Sequence, residues 1–266
     1  MRFAPILLCL LAANASGSES LPEHPLTPVL KLAYERLRYL DTEVHDYTGE
    51  FVKRERIDGR LLPRESAQLK IRHAIARDGQ AVPFAVYVKF LGPSDLAGRE
   101  VIYVAGRNNG DLIARRGGVR LAYFTTAVDP SSELAMQGNR YPITEIGIRS
   151  LIQRLIEVGA EDVRYGECDV KYYQNVTVDQ RPCTLVEVTH PVRRTNFRYH
   201  IARIFIDDEL QLPIRYASYD WADQPGGEPP LIEEYTYLKM KFNVGLTDAD
   251  FDSHNAAYGF GTYSNP

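Results

Sequence analysis

IARIFIDDELQLPIRYASYDWADQPGGEPPLIEEYTYLKMKFNVGLTDADF, residues 201–251, reads as the closing strands of a curved sheet. Its first part alternates about the acidic turn Asp207-Asp208-Glu209, with Ile204 and Ile206 on one face before the turn and Ile214 and Tyr216 after it. That is a hairpin pattern. Residues 224–230 hold Gly226-Gly227 and end in two prolines, so they cannot continue a ladder and form a loop. A further strand follows, in which Thr236, Leu238, Met240 and Phe242 are expected on one greasy face and Tyr235, Tyr237, Lys239 and Lys241 on the other. A sheet with one dry face needs a cover.

Working outward, residues 25–44 supply a candidate cover. Thr27 is placed as N-cap, Pro28 as the first helical residue, and Val29, Ala33, Leu37, Leu40 and Val44 recur near helical spacing. A second amphipathic helix is expected from a cap at Thr144 to about Gly159, with Ile148, Leu151, Ile152, Leu155 and Ile156 on one flank. Between them run strands at 47–57, 65–76 and 83–90, joined by turns at Asp58-Gly59 and Asp78-Gly79. Residues 98–105 add another strand, and 112–115 with 119–123 a weaker hairpin. Successive hairpins suit a meander. Residues 128–142 lose the alternation and read as a connecting loop. Strands at 169–178 and 183–189 then lead back, through 196–206, to the opening stretch.

The chain has 266 residues, 44% hydrophobic and 25% charged, which is ordinary for a globular protein. Residues 1–15 combine Arg2, an apolar run at 6–11 and the small-x-small group Ala13-Asn14-Ala15, the pattern of a secretory signal cut near Ala15. The product is expected to be periplasmic or secreted. Cys9 lies inside the apolar run and follows Leu8, which argues against acylation there. No later stretch approaches the roughly 20 apolar residues of a spanning helix, so no transmembrane segment is expected. Removing Arg2 takes the formal charge from -4 to about -5, which offers no basic field for nucleic acid. Residues 16–26 form a linker, 27–252 a single domain and 253–266 a C-terminal tail.

Two motifs carry a resemblance. Ile206-Asp207, Leu212-Pro213-Ile214-Arg215 and Tyr219-Asp220, followed by residues 242–251 (FNVGLTDADF), resemble the end of the bacterial lipoprotein carrier LolA and its relatives. Most of the chain also looks like an uncharacterised exported bacterial family, number 1571 among the domains of unknown function. The resemblance implies a mainly β (α+β) fold: a strongly curved antiparallel half-barrel with two helices on its concave side. It implies a carrier of lipid or lipoprotein, and, through the similar domain of sigma-factor regulators, a sensor or interaction domain. The carriers' arginine-rich strand is absent here, where residues 82–86 read VPFAV, so no carrier-specific polar residue is transferred.

Catalytic patterns are missing from the sequence. No nucleophile with a base, carboxylate pair or phosphate-cradling loop stands at recognisable spacing. Residues 106–110, GRNNG, lack the lysine of a phosphate loop and read as a turn. The charged strand at 50–56 reads as cross-strand ion pairing on a wet face. The histidines are scattered singly, so neither a metal nor a cofactor is expected. Export permits a disulfide between Cys168 and Cys183, but a turn near Gln180 sets Cys183 opposite the region of Val178, far from Cys168. Asn175-Val176-Thr177 matches a glycosylation acceptor that a bacterial cell leaves idle.

The expected activity is therefore non-enzymatic binding of a hydrophobic ligand. A pocket is expected on the dry face, lined by Leu69, Ile71, Val86, Val88 and Phe90 of the early strands, Leu151 and Leu155 of the second helix, and Leu238, Met240 and Phe242 of the last strand. Each buried methylene of an acyl ligand contributes roughly 0.8 kcal/mol there. The alternative is an envelope sensor or protein-interaction domain with a filled core, whose helices and 131–142 loop meet an envelope protein partner.

Overall fold

Alternating apolar residues from both halves of the chain build one long antiparallel sheet. The computed structural model describes residues 23–77, 80–117 and 124–260. The expected leader, most of the linker, the Asp78-Gly79 turn, the strand at 119–123 and the end of the tail lie outside the described residues.

The chain begins with α1 (Thr27–Glu43), then β1 (Asp46–Ile57), β2 (Arg60–Leu61), β3 (Glu65–Arg72), β4 (Ile75–Arg77) and β5 (Gln80–Val82). It continues with β6 (Ala85–Gly92), β7 (Glu100–Val104), β8 (Leu112–Arg115), β9 (Thr125–Val128) and the single turn α2 (Glu133–Met136). Helix α3 (Ile148–Tyr165) precedes β10 (Asp169–Val178), β11 (Arg181–Thr189), β12 (Ile201–Asp207), β13 (Pro213–Tyr219) and β14 (Leu231–Phe242). The sheet order is β10-β11-β12-β13-β14-β1-β3-β6-β7-β8-β9, with β2 paired to β1. Two meanders are thus joined where β14, the last strand, pairs with β1, the first. The sheet does not close, and it curves around α1 and α3 on its concave side.

Helix α3 starts later and runs longer than its sequence pattern suggests. Ile143–Glu145 forms a 3-10 turn, and α3 begins after Gly147 at φ +113°. Two sheet tyrosines cap it: the Gly147 N–H donates to the Tyr237 hydroxyl at 3.2 Å and the Ile148 N–H to the Tyr47 hydroxyl at 3.0 Å. These hydroxyls satisfy orphan donors of the helix N-terminus. Gly159 lies within the helix rather than ending it, and its lack of a side chain makes room for α1: a Cβ there would sit 2.9 Å from Leu30 Cδ2. The helix ends at Gly166 in the left-handed region, φ +67°.

The expected faces of β14 need correction. Lys239 adopts φ +52°, and the pairing with β1 slips between Thr48 and Glu50. Such a bulge resets the alternation. Tyr235 and Tyr237 therefore join the main core together with Met240 and Phe242, while Leu238 packs with Val178, Cys183 and Ile214. A slip between Phe205 and Ile206 likewise parts Ile214 from Tyr216. The strand expected at 65–76 breaks at His73, whose N–H donates to the His45 carbonyl at 2.8 Å.

The residues after β14 wrap onto the other face of the sheet. Asp46 accepts the N–H groups of Val244, Gly245 and Leu246 at 2.7, 3.2 and 3.0 Å. Phe251 and Tyr258 then pack over Tyr87 and Ile102. Asp248 pairs with Arg72 and Asp250 with Lys70, each at 2.7 Å. Cys168 and Cys183 are both free, and Cys183 lies opposite Val176 in the β10–β11 ladder. Among the described residues no helix is long and apolar enough to cross a membrane.

Candidate functional site

A cavity follows from the way α1 is seated. It packs antiparallel to α3, with Leu30 beside Gly159 and Asp41 paired to Arg149 at 2.6 Å. Leu40 near its end is fully buried, but Val29, Leu32, Ala33 and Leu37 are only partly so. Leu26 at the start of α1 is buried as well, so the stretch from Val29 to Leu37 is the less tightly seated part. Beneath it lies a cavity of about 130 Å³, bounded by α1, by Leu151, Leu155 and Val158 of α3, and by Val188, Ala202, Ile204, Ile206 and Tyr216 of β11 to β13.

Of the residues expected to line a pocket, the structure brings Leu151 and Leu155 to this cavity. Leu69, Val86 and Val88 lie in the filled core of the other half of the sheet, with Phe90, Met240 and Phe242 packed against that core. Leu238 lies apart, in the cluster around Cys183. Ile71 also belongs to the core and borders a second hollow of about 450 Å³ beside His73, Asp41 and Arg149. That hollow is larger and has few apolar residues, whereas the cavity under α1 has a broad apolar lining from α1, α3 and β11 to β13, interrupted by charged groups such as Arg36, Arg154 and Asp162. The latter suits a hydrophobic ligand.

Both ends of the cavity are polar. At one end Asp162 accepts a short hydrogen bond from the Tyr199 hydroxyl and lies 3.2 Å from His190 Nε2. His190 is 0% exposed and stacks on Phe197 at 3.8 Å between centroids. Burial first, and the neighbouring Asp162 second, push the Tyr199 hydroxyl pKa far above its ordinary value. Nearby, Cys168 Sγ lies 3.7 Å from His24 Nε2. Burial, then the charges of Asp162 and Asp169, raise this thiol to about 11, so it is protonated at neutral pH and is no activated nucleophile.

At the other end Glu233 is 5% exposed and accepts from Arg140 Nε at 2.9 Å, Tyr141 at 3.0 Å and Tyr235 at 3.2 Å. Tyr235 also donates a hydrogen bond of 2.5 Å to Glu55. Lys53 bonds Glu55 at 2.7 Å and Asn139 at 2.6 Å. Lys53 and Glu55 are thus buried inside the fold, not on a wet face. Burial raises the Glu65 carboxyl above its usual range despite Lys53 beside it. Among the described residues no cluster of three or more His, Cys, Asp or Glu side chains is placed to hold a metal ion.

Sequence reasoning missed this polar end, although one signal for it was present. Residues 139–141 belong to the loop read as a connection, and yet Asn139, Arg140 and Tyr141 all bond to the sheet. Arg36 interrupts the apolar stripe of α1 between Ala33 and Leu37, a signal that was present in the sequence.

No curated protein matches the chain. Solved structures similar to it include a DUF1329 family protein from Desulfovibrio piger, at 18% identity and TM-score 0.41 over 87% of this chain and 98% of that one. Another is described as an outer membrane lipoprotein-sorting protein domain from Vibrio parahaemolyticus, at 11% identity and TM-score 0.39 over 84% and 95% of the two chains. A LolA superfamily protein from Nitrosomonas europaea matches at 12% identity and TM-score 0.33 over 84% and 97%. None of these distant likenesses carries a ligand across. The family model of the protein of unknown function DUF1571 matches residues 44–260, which hold the whole of the sheet and α3, and the chain belongs to that family.

Proposed function

We propose that this chain is an exported, non-enzymatic binder of lipid or of lipoprotein acyl chains, held between the sheet and α3 with α1 as the lid. The observation that carries the reading is the cavity under the partly buried stretch of α1, with a broad apolar lining from the helices and from β11 to β13. In its closed state it is small: about 130 Å³ is close to the roughly 150 Å³ of an engineered apolar cavity that holds a benzene. An acyl chain therefore enters only as α1 lifts, and each methylene it buries contributes roughly 0.8 kcal/mol.

Native mass spectrometry with lipid extraction, on protein purified from its own envelope, tests this directly. A stoichiometric lipid supports the reading and identifies the cargo. Leu155→Trp fills the cavity from α3 and is expected to lower acyl uptake at least tenfold, at a cost of about 1–3 kcal/mol in stability that leaves the protein folded. Uptake that survives this substitution rejects the cavity as the binding site.

A second reading rests on α2. Leu134 is 67% exposed in the loop before α3, which suits an envelope sensor or interaction domain that captures a protein partner instead of lipid. A clean apo mass, with a partner captured through this loop, favours that reading.

A further inference from the structure

We infer that the cargo is an amphiphile with an anionic head group, a carboxylate or a phosphate, and that Arg36 of α1 is its principal anchor. This rests on the cavity being the binding site and specifies which class of ligand it takes.

The argument begins with the charges around one end of the cavity. Four arginines, Arg36, Arg140, Arg154 and Arg198, line the cavity against two carboxylates, Asp162 and Glu233, and Arg36, Arg140 and Arg154 belong with Glu233. Arg140 is already committed to Glu233 at 2.9 Å. Arg154 pairs with Glu145 and lies 3.5 Å from the centroid of the Tyr141 ring. Arg36 differs from both. Its Nε is buried without a hydrogen-bond acceptor, and its guanidinium has a ring contact with Tyr39 at 5.7 Å. A buried donor with nothing to bond is costly, and the cost is greater on a charged group.

The helix register brings these groups together. Leu30 lies beside Gly159 and Asp41 pairs with Arg149, so the antiparallel helices place Arg36 near the level of Arg154. A guanidinium offers a planar fork of donors that matches a carboxylate or phosphate. An anion seated here supplies the acceptor that Arg36 lacks and offsets the excess of guanidiniums. Its hydrocarbon tail then runs between Leu155 and Ile204 along the apolar walls. Because Arg36 belongs to the lid, the same contact draws α1 down over the cargo, coupling head-group recognition to closure.

The test compares three probes of equal chain length below their micellar concentrations: dodecanoate, dodecyl phosphate and the neutral dodecanoylglycerol. Binding is read by calorimetry or native mass spectrometry on wild type, Arg36→Gln and Arg36→Lys. We expect wild type to bind at least one anionic probe about tenfold more tightly than the neutral one. Arg36→Gln should lose that preference while still binding the neutral probe, and Arg36→Lys should keep part of it. The stronger of the two anionic probes distinguishes a fatty-acid carboxylate from a phospholipid phosphate. Equal affinity for charged and neutral probes overturns the inference and leaves the cavity reading standing. So does a preference that survives Arg36→Gln. Failure of every probe to bind overturns both.

Discussion

Asp207 shows how a single residue of the sheet reports on its own charge. It is fully buried at the β12–β13 turn, where its carboxylate accepts from Arg181 at 2.9 Å and from the N–H groups of Glu209 and Leu210 at 3.0 and 2.8 Å. Burial alone would raise its pKa, but Arg181 and the two backbone donors outweigh it and hold the carboxyl below the usual carboxylate range. A depressed folded-state pKa stabilises the fold above the unfolded value near 4, and that contribution is lost as pH falls through the folded value. Asp207→Asn is therefore expected to cost about 1.5–3 kcal/mol at pH 7. In urea titrations the gap between wild type and variant should narrow steadily below about pH 4. A gap that stays constant from pH 7 to pH 3 would mean that no ionised carboxylate is being held.

At the scale of elements, the strands were legible because alternation follows directly from the pleat, whereas the cavity was not. Strand alternation shows that a face is dry, and every dry strand looks alike, so Val86 and Val88 promised a pocket as strongly as Ile204 and Ile206 do. Which strands the helices stand away from depends on how α1 sits against α3, and that turns on the contact of Leu30 with Gly159. The faces of β14 were obscured by the bulge at Lys239, a residue whose type carries no signal for φ +52°. The motif of residues 242–251 was legible as a resemblance, but its residues hold the fold: Gly245 and Leu246 bind Asp46, Asp248 pairs with Arg72, and Phe251 is buried beside Tyr87.

The same helix contact supplies a test of the lid. With Cys168 replaced by serine, the pair Leu30→Cys and Gly159→Cys should form a disulfide on oxidation and lock α1 against α3. Oxidised protein is then expected to lose acyl uptake by at least tenfold, and reduction should restore it. Equal uptake in both states shows that cargo enters without moving α1.

Over the whole molecule, the two meanders do different work. The half containing β1, β3 and β6 is closely packed at its centre, with the hollow beside His73 at its edge: Tyr47, Leu69, Ile71 and Val86 are nearly or fully buried, in one cluster with Leu40, Ile148 and Ile152. The half containing β11 to β14 keeps a cavity under the looser part of α1. Partly buried apolar contacts hold an element less firmly than fully buried ones, so α1 between Val29 and Leu37 has the lower cost of local opening. Hydrogen exchange should resolve this as a gradient. Amides of β3 and β6 are expected to exchange only through global unfolding, and those of residues 30–37 on α1 through a smaller opening that leaves the sheet intact. A ligand that binds only the closed form stabilises it by RT ln(1 + [L]/Kd), about 2.7 kcal/mol at a hundredfold excess over Kd. Saturation with dodecyl phosphate should therefore slow exchange on α1 by about a hundredfold and change β3 far less. Uniform protection across both halves would mean that the sheet and helices open as one unit, with no separate lid to gate the cavity.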